Sequence, residues 1–297
     1  MITLSSDRLQ LLLHEPLDGF YKGTRFDRAG IFDSILFGGI EMAGDWYPHY
    51  DPFMHDAVKG PAEEFSPVFP AIPGHSRQSR ELFLKPGVGI LLKDKTIYDR
   101  FRLYEVIDGG VWETAREEDH ILFRHTIKGI YEYEKEIALT GDNSFEIRHH
   151  LLSEVPLEGE VYNHNFFTFG KLSIGPGREI DFPFCPVGEW RKEYDSVGFT
   201  HSGIRFTRDL NEGETVYAGD IHAALKDGMK YNMTLREGQL SVSIKGSVPV
   251  TRAVFWSSSR VACIEPYNAF RAARGKPFTW TICYSMEETI PSHRESL

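Results

Sequence analysis

The chain of 297 residues carries 33 lysine and arginine residues against 43 aspartate and glutamate residues, a formal net charge of −10 with neutral histidines. This acidic balance argues against a nucleic-acid-binding or anionic-membrane surface, because such surfaces require clustered basic residues. A hydrophobic content of 41% is sufficient for a packed core, and one large β-sandwich can use the whole length, so we expect a single domain over residues 1–297.

Cysteine content and the N-terminal sequence indicate the compartment. Three isolated cysteines, Cys185, Cys263 and Cys283, fit a reducing environment and exclude a metal site of the Cys-x-x-Cys type. A zinc site built from scattered histidine and cysteine residues stays open, but no metal site is predicted. The N-terminus lacks the basic and apolar regions of a signal peptide, and no apolar run approaches the roughly 20 residues of a membrane span. We therefore expect a soluble cytoplasmic protein without a membrane partner.

The first part of the chain is predicted to form short strands and then a long loop. Ile2–Leu13, Gly19–Phe26 and Gly30–Phe37 have strand-like composition, whereas prolines and glycines interrupt Ile40–Ser79. Long loops in compact domains are usually functional. This one carries Trp46 and other aromatic residues, which stack on sugar rings, and we expect it to form the rim of a sugar-binding site.

Two charged groups in this part have two interpretations each. Arg25 lies on a predicted strand, from which its guanidinium could donate two parallel hydrogen bonds to a ligand, or it forms a surface ion pair with Asp27. Glu64 could bind sugar hydroxyls. Alternatively, one of Glu63 and Glu64 is solvated and the other pairs locally.

Short strands with alternating or apolar composition continue to the C-terminus, with turn signals about every ten residues, and no helical periodicity is sustained in the first half. Two pairs form marked hairpins, one with the turn Gly141-Asp142-Asn143 and one with the turn Glu237-Gly238. This pattern predicts an all-β sandwich. The predicted strands are two in Glu81–Lys93 separated by a bend, then Tyr98–Tyr104, Gly109–Glu117, Ile121–Ile127, Gly129–Thr140, Ser144–Val155, Leu172–Ile174, Glu179–Phe184, Gly203–Thr207, Glu212–Ala218, His222–Leu225, Met229–Arg236, Gln239–Lys245, Arg252–Ser258 and Pro277–Met286.

The segment Glu160–Gly170, E-V-Y-N-H-N-F-F-T-F-G, follows the first hairpin. It places His164 between the amides of Asn163 and Asn165 and directly before two phenylalanines. A group that titrates near neutral pH, with amides beside it and aromatic rings behind it, fits proton transfer to a sugar. The alternative is a core histidine that is hydrogen-bonded to the backbone.

A second candidate is Glu265, in the run R-V-A-C-I-E-P-Y of Arg260–Tyr267. It follows an apolar strand and precedes a proline, where we expect the strand to end. A partly desolvated carboxylate at such a strand end would have a raised pKa, as a general base or acid requires. The alternative is a rim carboxylate paired with Arg260 or Arg271.

The run Tyr162–Phe167 after its hairpin resembles the histidine motif of the aldose 1-epimerase (galactose mutarotase) family, and Arg260–Tyr267 resembles the late strand that ends in that family's glutamate. The resemblance covers the chain from about Gly129 onwards. It implies a galactose mutarotase-like supersandwich of large antiparallel sheets. It also implies interconversion of sugar anomers without a cofactor, with His164 as general acid and Glu265 as general base.

The resemblance also assigns neighbours to this pair. Asn163 and Tyr267 are expected to bind the substrate, a small-molecule sugar. His75 and Arg77 are candidates for the second histidine and the arginine of the family, with Arg25 as a rival for the arginine. The chain departs from the family pattern at Asn165, where a threonine or serine is usual, so the sugar and its possible phosphorylation stay open.

Two further functions fit the same sequence. The fold also occurs as a non-catalytic carbohydrate-binding module. A lyase or hydrolase could use Tyr162 or Tyr267 as its acid or base. The sequence does not indicate an oligomeric state.

Overall fold

The computed structural model describes residues 1–70, 82–93, 97–170, 173–222 and 230–289. All regular elements in these ranges are β-strands, and none of these segments forms a helix that could cross a membrane. The strands are β1 Ile2–Ser5, β2 Leu9–His14, β3 Ile31–Phe37, β4 Ile40–Glu41, β5 Gly60–Phe65, β6 Leu82–Lys85, β7 Gly89–Leu92, β8 Val106–Asp108, β9 Val111–Arg116, β10 His120–Ile127, β11 Tyr131–Gly141, β12 Ser144–Ser153, β13 Leu157–Phe166, β14 Arg178–Asp181, β15 Val187–Trp190, β16 Val197–Phe199, β17 Gly203–Phe206, β18 Thr215–His222, β19 Lys230–Glu237, β20 Leu240–Pro249, β21 Arg252–Ser258, β22 Ala262–Ala272 and β23 Phe278–Glu288.

Two large antiparallel sheets form the body of the molecule. The ten-stranded sheet has the order β16-β17-β14-β19-β20-β23-β12-β11-β10-β9, and the six-stranded sheet has the order β15-β18-β21-β22-β13-β5. A four-stranded sheet (β1 to β4) and a three-stranded sheet (β6 to β8) accompany them. The main apolar core takes side chains from both large sheets, including Tyr133, Ile147 and Phe255. The prediction of an all-β fold with large antiparallel sheets is confirmed.

The hairpin β11–β12 shows why the sequence folds in this way. Buried and half-buried residues alternate along both strands, so that one face of each packs on the core. The register pairs Ile137 with Ile147 and Tyr133 with Leu151, and the chain reverses at Asp142-Asn143 as predicted. The second hairpin, β19–β20, turns at Gly238, whose φ of 60° favours glycine.

Several predicted strands differ from the structure. Leu172–Ile174 is irregular at its described residues, 173 and 174, and His222–Leu225 lies outside the described residues after His222. Ile2–Leu13 divides into the hairpin β1–β2. Gly19–Phe26 is irregular, because the Tyr21 hydroxyl accepts hydrogen bonds from the backbone N–H groups of Arg25 and Phe26. Tyr98–Tyr104 is irregular, since the Tyr104 hydroxyl accepts from the Asp99 N–H and the Asp99 carboxylate accepts from the Phe101 N–H. Side-chain bonds of this kind compete with a sheet ladder.

The prediction that Ile40–Ser79 is one loop is wrong at Ile40–Glu41, which is β4, and at Gly60–Phe65, which is β5, an edge strand whose six residues are all buried. Residues 71–79 of this prediction lie outside the described residues. The sequence of β5, G-P-A-E-E-F, has low strand propensity. The strand forms because its two glutamates find charged partners on opposite faces of the sheet. Glu63 and Glu64 are 0% and 1% exposed, so neither is the solvated carboxylate that one interpretation required.

Candidate active site

The centre of the site is a stretch of β13 and β22 in which the two strands keep their register but the paired ladder is interrupted. The ladder between these strands ends with Tyr162 opposite Tyr267, and an isolated bridge follows with Phe167 opposite Ala262. One register joins both pairs, so His164 lies opposite Glu265. Directly opposed side chains in an antiparallel pair have Cβ atoms about 5 Å apart. The two predicted residues are therefore neighbours by sheet geometry.

A side-chain amide bridges the two strands where the ladder is interrupted. The Asn165 side-chain amide donates to the backbone carbonyl oxygens of Asn163 and Ile264, at 3.2 and 2.8 Å. Pro266 lies inside the eleven-residue strand β22, opposite Asn163 in this register. The expectation that the strand ends at Pro266 is wrong, because β22 continues through the proline by pairing with β21, where Ala253 lies opposite Pro266. Pro266 has no N–H to donate to β13, which is where the paired ladder of β13 and β22 is interrupted.

His164 contacts both residues that flank Ile264. Its Nε2 is 3.2 Å from Glu265 Oε1, and its Nδ1 is 2.6 Å from Cys263 Sγ. The ring stacks on Phe166 with centroids 3.8 Å apart. Burial, assisted by nearby Arg25, holds the pKa of His164 well below its ordinary value. Both ring nitrogens thus face side chains, and no backbone group of the described segments bonds to the imidazole, which argues against the core-histidine interpretation.

Glu265 is 4% exposed, and within the described ranges His164 is its only ion-pair neighbour. Desolvation raises the pKa of Glu265 to about 7, although Arg25 and Arg100 act in the opposite direction. The Tyr267 hydroxyl donates to Glu265 Oε2 at 3.3 Å. The rim alternative fails, since Arg260 pairs with Asp45 and Arg271 pairs with Glu158.

A cavity of about 300 Å³ opens above this pair, on the face of the six-stranded sheet that points away from the ten-stranded sheet. Strands β13, β18, β21 and β22 form its floor, and the irregular segments before β3, before β5 and before β8 form its walls. The lining residues are Arg25, Trp46, His55, Asp56, Arg100, Phe101, His164, Arg191, Thr215, Tyr217, Val254, Trp256, Glu265 and Tyr267. The segment predicted to form a rim contributes Trp46, His55 and Asp56 to this lining.

One wall is stabilised by what we call the site cluster, which consists of Arg25, Asp56, Glu64, Lys85 and Arg100. Arg25 donates from Nε to Glu64 Oε2 at 2.6 Å and from Nη1 to Asp56. Burial alone would raise the pKa of Glu64, but Arg25, Lys85 and Arg100 outweigh it and lower that pKa to about 2.

The prediction that Arg25 lies on a strand is wrong, as is the predicted surface ion pair with Asp27. The guanidinium is buried and lines the cavity from an irregular segment.

A second set of charges, the interior cluster, lies between the two large sheets and consists of Asp27, Glu63, Lys135, His149 and Asn163. Glu63 forms an ion pair with Lys135 and accepts hydrogen bonds from Asn163 Nδ2 at 2.8 Å and from His149 Nε2 at 3.0 Å. Asp27 Oδ2 is 3.5 Å from Lys135 Nζ. These groups occupy the face of β5 and β13 opposite to the cavity.

The structure brings only some of the predicted site residues together. His164, Glu265, Arg25 and Tyr267 line the cavity. Asn163 does not, because it lies one residue from His164 on a strand and points to the interior cluster. Glu64 does not line the cavity either, because Arg25 and the Tyr162 hydroxyl occupy its carboxylate. His75 and Arg77 lie outside the described residues.

Sequence reasoning missed several cavity residues. Arg100 donates from Nη1 to the hydroxyl oxygens of Tyr162 and Tyr267, at 3.1 and 3.3 Å. Arg191 and Trp256 also line the cavity. Trp256 lies on β21 opposite Cys263, so strand periodicity could have placed it on the face of Glu265. No local signal distinguishes Arg100 or Arg191 from other exposed arginines.

Among the described residues, His164, Cys263 and Glu265 are a possible metal-ligand set, with ligand atoms within 4.8 Å of one another. Their geometry does not fit one ion. Cys263 approaches Nδ1 of the ring and Glu265 approaches Nε2, and a metal ion binds only one of these nitrogens. The arrangement fits a chain of hydrogen bonds better than a metal centre.

Solved structures share this architecture from end to end. An aldose epimerase homologue from C. elegans superposes with a TM-score of 0.56 at 12% identity, over 97% of this chain and 99% of that one. A galactose mutarotase related enzyme from Lactobacillus acidophilus gives 0.56 at 11% identity, over 97% and 99%. The chain has the galactose mutarotase-like fold. A galactose mutarotase-like protein from Lactobacillus casei, with a TM-score of 0.53 at 10% identity over 97% and 100%, has it too.

The similarity of this chain to known proteins lies in its structure. No protein-family model matches the chain, and no curated protein matches its sequence. At identities of 10–12% the mutarotase-like fold is established, and an activity has to be argued from the site itself.

Proposed function

We propose that the protein is an aldose 1-epimerase-like enzyme, which interconverts the anomers of a monosaccharide by opening and closing its ring. The observation that carries this proposal is the direct contact between His164 and Glu265 on the floor of a small aromatic cavity. Sugar binding, isomerase activity and the cytoplasmic location are predictions of this proposal.

Ring opening needs one proton removed from the anomeric hydroxyl and one proton donated to the ring oxygen. Ring closure reverses both transfers, so the reaction consumes no proton. A pair that carries one proton in total is sufficient, because one partner acts as the base while the other acts as the acid. With a pKa of about 7 for Glu265 and a strongly lowered pKa for His164, the pair holds one proton just below neutral pH.

In the resting protein this proton is on Glu265, and His164 is neutral. Transfer of this proton across the 3.2 Å contact makes His164 an imidazolium and Glu265 a carboxylate. His164 can then act as the acid and Glu265 as the base, the roles that the resemblance implies. Cys263 accommodates both states, since Nδ1 carries a hydrogen in each of them and donates it to the cysteine sulfur. Tyr267 and Arg100 keep the carboxylate in position through the bonds described above.

Polarimetry on freshly dissolved anomers tests the proposal. The wild-type protein is expected to accelerate the optical-rotation change of at least one sugar in a panel of hexoses and modified hexoses. His164→Ala and Glu265→Gln are each expected to lower this acceleration by about 10²–10⁴-fold, the usual contribution of a general acid or base. His120→Ala and Glu158→Gln change residues far from the cavity and are matched controls.

A wild-type rate equal to the buffer rate across the whole panel rejects the enzyme. Sugar binding without acceleration identifies the protein as a carbohydrate-binding module instead. Binding can be followed by the rise in melting temperature that any ligand specific for the folded state produces.

A further inference from the structure

Arg191 brings a guanidinium to the cavity that ring opening does not use. It follows β15 at the rim, and its guanidinium carbon is 4.3 Å from the centroid of the Tyr217 ring. Across the described parts of the chain, no carboxylate lies within ion-pair distance of it. An exposed arginine stacked on an aromatic ring keeps its hydrogen-bond donors free for a planar or tetrahedral anion.

Arg100 presents a second guanidinium to the same space. Its Nη1 is held by the hydroxyl oxygens of Tyr162 and Tyr267, and its Nε is 3.8 Å from Glu64 Oε1. The side chain is still 36% exposed. Arg100 is therefore fixed in direction by its neighbours, while part of its guanidinium remains open to a ligand.

The charges around the cavity do not balance. In the site cluster three cations, Arg25, Lys85 and Arg100, face two carboxylates, Asp56 and Glu64. Glu265 on the cavity floor is the third carboxylate. Arg191 adds a further positive charge. The chain as a whole has a net charge of −10, so this positive region is opposite in sign to the protein around it.

The positive charges of several arginines act on the Tyr217 ring. Its pKa is raised by desolvation and by Glu265, while Arg191, Arg252 and Arg100 all act to lower it. Arg252 is occupied by Glu160 and by the Tyr267 ring. Arg191 and Arg100 are thus the two arginines near Tyr217 that have donors left for a substrate.

We propose that the substrate is a monosaccharide with an anionic substituent, a phosphate or a carboxylate, which binds to Arg191 and Arg100 while the anomeric carbon lies at His164 and Glu265. The inference rests on the proposed function and specifies its substrate class. A cavity of about 300 Å³ is at the lower end of the usual range for ligand pockets, roughly 300–1,000 Å³, and so fits a single ring.

Matched sugars test the inference. Anomer interconversion and the dissociation constant are measured for glucose, glucose 6-phosphate and glucuronate, and for the same three forms of galactose. One anionic form is expected to exceed its neutral parent by about tenfold or more in kcat/KM or in affinity, as hydrogen bonds to a charged group predict. The phosphate and carboxylate arms identify which anion binds. Equal values for neutral and anionic sugars overturn the inference.

Arg191→Gln, compared with Arg271→Gln, links the preference to one residue. Both changes remove one positive charge, but the Arg271 side chain is 83% exposed and pairs with Glu158 away from the cavity. The anionic-to-neutral ratio is expected to fall about tenfold in Arg191→Gln and to stay unchanged in the Arg271 control. A ratio that does not change in Arg191→Gln, or changes equally in both variants, contradicts the inference.

These outcomes separate the two proposals. Tight, Arg191-dependent binding of an anionic sugar without anomer interconversion leaves this inference standing and removes the epimerase. Rapid interconversion of neutral and anionic sugars alike leaves the epimerase standing and removes this inference.

Discussion

Two successive glutamates on β5 belong to two different buried clusters. Glu63 points between the sheets to Lys135 and His149, and Glu64 points towards the cavity wall to Arg25. Burial alone would raise the pKa of each glutamate, but the cations in contact with its carboxylate lower it. The charged groups of the interior cluster pair with one another between the sheets. The site cluster instead borders a cavity, which Arg25 and Arg100 line.

Glu265 shows what the comparison means for function. It is as buried as the other two glutamates, yet its pKa is raised, because no arginine or lysine of the described chain contacts it. Burial of a carboxylate therefore does not by itself mark a reactive group. A buried carboxylate beside a cavity and without a cation in contact is the one prepared for proton transfer.

The largest expected effect concerns the interior cluster. Lys135→Met is expected to lower the free energy of unfolding by about 3–5 kcal/mol, because it leaves Glu63 and Asp27 buried without their lysine. The measurement is urea denaturation at neutral pH. Lys59→Met is the control, since Lys59 pairs with Asp33 and both side chains are 27% exposed, where a loss below about 1 kcal/mol is expected. Equal losses in the two variants would show that the interior cluster is no more important than a surface pair.

The pH dependence of the reaction comes next. Acceleration requires the pair to carry a proton, so kcat/KM is expected to fall about tenfold per pH unit above pH 7, or about a hundredfold by pH 9. Polarimetry with the buffer rate subtracted gives this profile. If Glu265 acted alone as a base, the rate would instead rise through pH 7, and that result would refute the shared-proton mechanism.

Glu265→Gln should separate activity from stability. The pKa of Glu265 is raised from 4.5 to about 7 in the folded protein, so the folded state binds more protons than the unfolded state between these values. Its contribution to stability is thus present at pH 4 and is lost as the pH rises towards 7. At pH 8 the variant, which cannot ionise, is expected to be about 1–3 kcal/mol more stable than the wild type, with a smaller difference at pH 5. Denaturant unfolding at both pH values is the measurement, and a variant less stable at pH 8 would contradict it.

The smallest expected effect is at Cys263, a positioning residue for His164. Cys263→Ala removes the partner of Nδ1 and is expected to lower the rate about five- to tenfold, equivalent to roughly 1 kcal/mol, and to shift the alkaline limb of the pH profile. Cys263→Ser should restore most of the rate, because its hydroxyl donates and accepts in the same place. Cys283→Ala, on β23 outside the cavity, serves as the control. A pH profile unaltered in Cys263→Ala would assign the cysteine to packing alone.

Local sequence was sufficient for part of this structure. The β11–β12 hairpin follows from its alternation and its Asp142-Asn143 turn, both of which involve near neighbours. His164 and Glu265 were singled out by their surroundings and by their resemblance to a known pattern, and the sheet register places them opposite each other.

The rest depends on contacts between distant segments. β5 could not be predicted, because a strand with two adjacent glutamates is stable only when Lys135 on one face and Arg25 on the other compensate them. The same holds for Arg100 and Arg191. Their importance comes from the tyrosines and the cavity that they meet, and nothing near them in the sequence encodes those contacts.

The shared register of His164 and Glu265 makes strand length a functional property. Side chains alternate between the faces of a strand, so one residue inserted or deleted between Tyr162 and His164 would turn the imidazole from the cavity to the space occupied by Lys135 and Glu63. Changes of length in the loops around the cavity would leave the two partners facing each other. In this molecule, counting residues along β13 is as important as choosing them.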